Sequence, residues 1–77
     1  MLQATLYTRR GCHLCDDAKA VLERHGVPFH EVDVDQDADL RARYNECVPV
    51  VAFGGKERFR GRVDEVLLRR LIRHGEL

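Results

Sequence analysis

Leu2-Gln3-Ala4-Thr5-Leu6-Tyr7 is followed by Thr8-Arg9-Arg10-Gly11 and then by Cys12-His13-Leu14-Cys15, and the spacing of the apolar residues changes across this stretch. Before the break, Leu2, Ala4 and Leu6 alternate with polar neighbours, the period of a strand. After it, Leu14, Ala18, Val21 and Leu22 stand at i, i+4, i+7 and i+8, which places all four on the inner face of a helix. Asp16 and Asp17 fall in its first turns, where carboxylates suit the helix dipole. His25 falls in the last turn, Gly26 stands where a left-handed cap would, and Pro28 follows. A strand, a tight turn and a helix that opens on two cysteines is the arrangement from which the rest of the chain is read.

Working outward, Phe29 to Val34 reads as a second strand with Val32 and Val34 on one face. Asp35-Gln36-Asp37 is a turn and helix start, Leu40 and Tyr44 pair at i, i+4 on a short second helix, and Asn45 is its stop. Val48-Pro49-Val50-Val51-Ala52-Phe53 is apolar on both faces, as a buried strand is, with its proline confined to the first positions. Gly54-Gly55 signals a hairpin, after which Lys56 to Arg60 is a polar edge strand. The last helix is predicted from about Val63, with Leu67, Leu68, Leu71 and Ile72 inward and Gly75 as its stop. The order β-α-β-α-β-β-α, with a parallel βαβ unit first, predicts a four-stranded mixed sheet with helices on both faces, a three-layer α/β sandwich.

The 77 residues allow one domain over residues 1–77. A domain of this size buries only about 60% of its unfolded surface, so chemistry belongs in a shallow groove rather than a large cavity. With 44% apolar and 34% charged residues the composition is that of a globular domain. No run approaches the ~20 apolar residues of a membrane span. The first residues lack the build of a signal peptide, so a cytoplasmic location is expected, with no membrane partner. Charge is unevenly spread. Glu31, Asp33, Asp35, Asp37, Asp39 and Glu46 face only Arg41 and Arg43 in the middle of the chain, whereas Lys56, Arg58, Arg60, Arg62, Arg69, Arg70 and Arg73 outnumber the acids of the last third. That basic third lacks interleaved aromatics, so it reads as a solvated helix face rather than a nucleic-acid site, with an acidic protein partner as the alternative.

Three cysteines without a signal peptide do not make a disulfide framework; they point to reactive or metal-binding thiols. Two residues between Cys12 and Cys15 span one helical turn and bring both sulfurs to the same side of a helix N-terminus, close enough to bond. Unpaired N–H groups and the dipole there favour a thiolate. Arg9, Arg10 and a protonated His13 push the same way, and Asp16 and Asp17 oppose them. Cys12 is therefore assigned as attacking thiolate and Cys15 as resolving thiol. His13 is either a tuning group or an exposed helix-start residue. A zinc site on Cys12, Cys15 and Cys47, with His13 or His30 as fourth ligand, is the competing reading. It lacks a second C-x-x-C, so no metal is expected.

Val48-Pro49 is the second feature. A cis bond there would leave the Val48 N–H and C=O free to pair with an extended peptide or thiol substrate; an ordinary trans proline at a strand start is the alternative. Cys47, one residue earlier, reads as a small buried apolar residue or as a third redox thiol. His25, His30 and His74 read as surface residues, and Tyr7 and Tyr44 as core or groove-lining ones.

Leu6-Tyr7-Thr8-Arg9, Cys12-His13-Leu14-Cys15, Val48-Pro49, Gly54-Gly55, and Gly61 with Asp64-Glu65 come in the order and spacing of a glutaredoxin. Along nearly its whole length the chain resembles that branch of the thioredoxin superfamily, closest to the small glutaredoxin-like proteins with a C-H-L-C dithiol. The resemblance implies a thioredoxin-like fold, a cis Pro49 beside the dithiol, and thiol–disulfide oxidoreductase activity in a monomer. Glutathione would be co-substrate and no cofactor would be tightly bound. It implies that Arg9 faces the glycine carboxylate of glutathione and that the Val48 backbone pairs with its cysteine. Asp64, with helix-start N–H groups near Val63, would hold the glutamyl end. Disulfide-containing proteins or a flavoenzyme reductase are the other partners it implies. His13, Leu14, Cys47 and Arg62 depart from the usual glutaredoxin pattern, and all four bear on glutathione affinity. An iron–sulfur or metal role, with Cys12 joined by glutathione or Cys47, is the second function implied, and a non-enzymatic adaptor the third.

Overall fold

The alternation of Ala4 and Leu6 with Thr5 and Tyr7 builds a strand, β1 (Ala4–Thr8), in the computed structural model, which describes residues 3–44 and 48–75. After the glycine turn at Gly11, whose φ is +79°, the chain enters α1 (His13–Arg24). This helix ends at His25 and Gly26, the glycine taking the left-handed conformation with a φ of +68°. Strand β2 (Phe29–Asp33) returns parallel to β1, with Ala4 opposite Phe29 and Thr8 opposite Asp33.

The second strand is one residue shorter than its apolar pattern predicts. Val34 does not continue β2 but opens a 3-10 turn, Val34–Gln36, in which it is fully buried. The cause is local: the Asp33 carboxylate accepts the Asp35 N–H at 2.9 Å and offers the backbone an alternative to the sheet ladder. The Asp37 side chain then caps α2 (Ala38–Tyr44), accepting from the N–H groups of Asp39 and Leu40. The predicted stop at Asn45 lies outside the described residues, as does Cys47.

Strand β3 (Val50–Phe53) is buried at every position and pairs antiparallel with β1. The Gly54-Gly55 turn, with both φ values positive, joins it to β4 (Lys56–Arg60). Opposite Val51 and Ala52 stand Phe59 and Glu57, so the β3–β4 register shifts and Arg58 is the residue passed over. The strand order is β2-β1-β3-β4. The last helix, α3 (Glu65–Arg73), starts two residues later than the sequence suggests. Asp64 accepts from the N–H groups of Val66 and Leu67, which makes it the N-cap and leaves Val63 outside the helix, buried against the core.

Two cores lie on opposite faces of the sheet. Ala18 and Leu22 of α1 and Leu68 and Leu71 of α3 pack with Ala4, Leu6, Val51, Phe53 and Phe59 on one side. On the other, Tyr44 of α2 meets Val34 and Val50, with Tyr7, Leu40 and Val48 against them. This is the three-layer α/β sandwich with a four-stranded mixed sheet that the element order predicts. Two residues assigned inward by periodicity do not pack inward: Leu14 is 47% exposed and Leu67 is 38% exposed. Both stand in the first turn of a helix in which the next residue, Cys15 in α1 and Leu68 in α3, is the one that is buried.

Candidate active site

Residues 8–12 leave the sheet and turn into α1, and the turn fixes both thiols. Cys12 is the N-cap of α1, with extended backbone; its carbonyl accepts the N–H groups of Cys15 at 3.1 Å and Asp16 at 3.2 Å. Its Sγ accepts the same Cys15 N–H at 3.3 Å. A backbone donor thus points at the Cys12 sulfur from the positive end of the helix. Cys12 is half-buried, and Cys15, one turn further on, is buried. Both are free thiols.

The two sulfurs sit in different surroundings. Burial pushes the Cys15 thiol up from its ordinary pKa, and its hydrogen bond with Cys12 adds to the effect. The Thr8 hydroxyl and the backbone at Arg9 pull it back in part. Cys15 accordingly keeps its proton at neutral pH while Cys12 meets solvent. Thr8 carries a contact that periodicity does not reveal. Its sequence signals are its position before the dithiol turn and its place in the Leu6-Tyr7-Thr8-Arg9 stretch.

Arg9 lies beside this turn, and its carbonyl accepts the Cys12 N–H at 3.3 Å. Its guanidinium is engaged: Nε and Nη2 donate to the two oxygens of Asp35 at 2.9 and 3.1 Å. His13, the first residue of α1, is exposed. The Val48–Pro49 peptide is cis; Val48 is half-buried on the α2 side and Pro49 is fully buried. Pro49 is also tied to the turn that follows β4, since its carbonyl accepts the Gly61 N–H at 2.7 Å. The helix-start N–H groups expected near Val63 are those of Val66 and Leu67, and Asp64 Oδ1 already accepts both, at 3.0 and 3.2 Å.

A groove of about 290 Å³ runs from Leu14 along α1 to Arg24, with Gly61, Arg62, Val63 and Glu65 as its other wall. Its far end is closed by a polar cluster. Glu65 Oε1 accepts from Arg24 Nη2 at 2.8 Å and Nε at 3.2 Å, and His25 Nε2 lies 2.9 Å from the same oxygen. His25 is therefore not the free surface residue that its sequence position suggests; its side chain is only 18% exposed. The Arg24 guanidinium first, and His25 second, hold the Glu65 carboxyl below its usual range. Among the described residues, no three His, Cys, Asp or Glu side chains form a group that could hold a metal ion. No helix among them is long and apolar enough to cross a membrane.

The same architecture occurs in proteins of known structure. A structural-genomics target protein from X. campestris superposes with a TM-score of 0.80 and 33% identity, over 92% of this chain and 96% of its own. NrdH-redoxin from Escherichia coli, described as a glutaredoxin-like protein with a thioredoxin-like activity profile, gives a TM-score of 0.69 at 30% identity, over 91% of this chain and 95% of its own. The N-acetyl-S-hydroxy-L-cysteine reductase of Bacillus subtilis (strain 168) is 29% identical in a match that covers 79% of this chain and 71% of that reductase. Residues 3–73 match the sequence profile of the glutaredoxin-like domain. With that match spanning the dithiol and all four strands, the chain belongs to the glutaredoxin-like domain family.

Proposed function

We propose that the protein is a thiol–disulfide oxidoreductase that works through both thiols of its dithiol, with glutathione as its reductant. The observation that carries this reading is the asymmetry of the pair: Cys12 is accessible and receives a backbone N–H, and Cys15 is buried and held as the thiol. The Cys12 thiolate attacks one sulfur of a disulfide, and the other leaves as a thiol after taking a proton. Cys15 then loses its proton and attacks Cys12, which releases the second thiol and leaves a Cys12–Cys15 disulfide. Two glutathione molecules reduce that disulfide and become glutathione disulfide. In this reading the Val48 backbone beside Pro49 and the helix start at Asp64 receive the incoming group. The Bacillus relative suggests a second substrate class, small cysteine derivatives hydroxylated on sulfur. With these, Cys12 would displace hydroxide, which leaves as water, and Cys15 would release the reduced thiol by the same second step.

The test is glutathione-driven reduction of a small mixed disulfide by wild type, Cys12→Ser and Cys15→Ser. Activity is expected to vanish in Cys12→Ser and to survive in part in Cys15→Ser, because glutathione can itself resolve the first mixed disulfide. Full activity in Cys12→Ser would overturn the assignment. A wild type that reacts with dithiothreitol but not with glutathione would overturn the choice of reductant alone.

A further inference from the structure

Helix α3 buries Leu68 and Leu71 and turns the opposite face outward. That face carries Val66, Arg69, Arg70, Arg73 and His74, spaced at i, i+3, i+4, i+7 and i+8, and the five line one shallow depression of about 350 Å³. All five are exposed, Val66 by 57%. Among the described residues no carboxylate pairs with Arg69, Arg70 or Arg73, whereas Arg9, Lys19, Arg24 and Arg60 each hold one. Arg70 and Arg73 stand in the last turn, where cations suit the helix dipole. The dipole does not account for Arg69, nor for an apolar side chain left in the open at the head of the row. The whole chain has a formal net charge of zero, so the row is a local concentration of positive charge and not a share of a general excess.

We propose that this face of α3 is a docking surface for an acidic helix of another protein. Charge complementarity demands an anionic occupant. The row from Val66 to Arg73 is about 10 Å long, the length over which a second helix presents carboxylates at the same spacing. The planar fork of arginine matches a carboxylate in two-pronged contact. Arginines beside an exposed apolar residue are also the composition of protein interfaces. The row has no aromatic on which a base could stack, and a single valine is too little apolar surface to enter a bilayer. The patch is small, so the complex belongs to the weak, short-lived class. It shares no lining residue with the groove that starts at Leu14, and the proposal stands apart from the thiol–disulfide reading.

The test is titration of the isotope-labelled full chain, at low ionic strength, with a blocked helical peptide that carries one leucine and glutamates at this spacing. Its counterpart has glutamine in place of every glutamate. Amide shifts are expected to centre on α3 with the glutamate peptide and to be absent with the glutamine one. In Arg69→Gln/Arg73→Gln the dissociation constant is expected to rise roughly three- to tenfold, the range two exposed ion pairs support. Arg41→Gln/Lys56→Gln removes the same charge from exposed positions on α2 and β4, and its affinity is expected to stay near the wild-type value. The amide spectrum shows in the same experiment that each variant is folded. Equal binding of the two peptides, shifts centred away from α3, or an equal loss in Arg41→Gln/Lys56→Gln would overturn the proposal. Tighter binding of wild type to a DNA duplex or to phosphatidylglycerol vesicles than to the glutamate peptide would overturn it in favour of those partners.

Discussion

At Cys15, burial and the hydrogen bond with Cys12 act in one direction, and both keep the proton on sulfur. Below the ordinary thiol range, both the folded and the unfolded chain keep the Cys15 proton, so this group is neutral in stability. As pH rises past that range the unfolded chain ionises first, and stability falls until the folded thiol ionises in turn. Cys15→Ala is therefore expected to flatten the alkaline loss of stability seen in reduced wild type, measured by denaturant midpoints at increasing pH. In reduced protein, mass spectrometry after limited alkylation should find Cys12 modified well before Cys15; equal labelling would contradict the asymmetry. The dithiol itself was legible in the sequence because strand period, turn and helix period meet there. The Arg9–Asp35 contact was not, since it joins residues 26 apart in the chain, and no local pattern reports which carboxylate a folded sheet will bring to an arginine.

Among the elements, the caps explain where sequence periodicity and structure part. Apolar spacing marks the face of a helix, but the side chain that bonds the first N–H groups decides where the helix begins. Asp64 does so for α3, and the predicted start at Val63 gives way to Glu65. Asp33 does the equivalent at the end of β2, where it turns Val34 out of the ladder and into the core. Asp64→Ala is expected to cost about 1 kcal/mol of folding stability by urea denaturation, whereas Asp64→Asn should restore most of it. If the two variants were equally unstable, the charge of Asp64 rather than its capping oxygen would be the source of the effect. Leu14 and Leu67 show the limit of periodicity from the other side. Their spacing is that of core residues, yet the buried place in each first turn goes to the next residue, Cys15 and Leu68.

Across the whole molecule, one carboxylate oxygen ties the end of α1 to the start of α3. Arg24 and His25 both reach Glu65 Oε1 over some 40 residues of chain. Because the folded state lowers the Glu65 pKa, the stabilisation is present above the carboxylate's unfolded value and is lost as pH falls through the folded one. Glu65→Gln should therefore lower the thermal midpoint at pH 7, and its difference from wild type should fade in acid. A constant difference across that pH range would show that packing, not charge, is what the substitution disturbs.

Among the described residues, the order β2-β1-β3-β4 makes β2 and β4 the two edge strands of the sheet. Each of these rims carries charge: Glu31 and Asp33 on β2, and Lys56, Glu57, Arg58 and Arg60 on β4, where the register shift adds a kink. Unpaired rims invite another chain to add a strand, the first step toward amyloid-like stacking. A rim of mixed charges makes such an added strand bury ions beside one another, and the kink spoils its register. The polarity of these two short strands is thus expected to oppose assembly of the protein through its own backbone, a property separate from anything the thiols do.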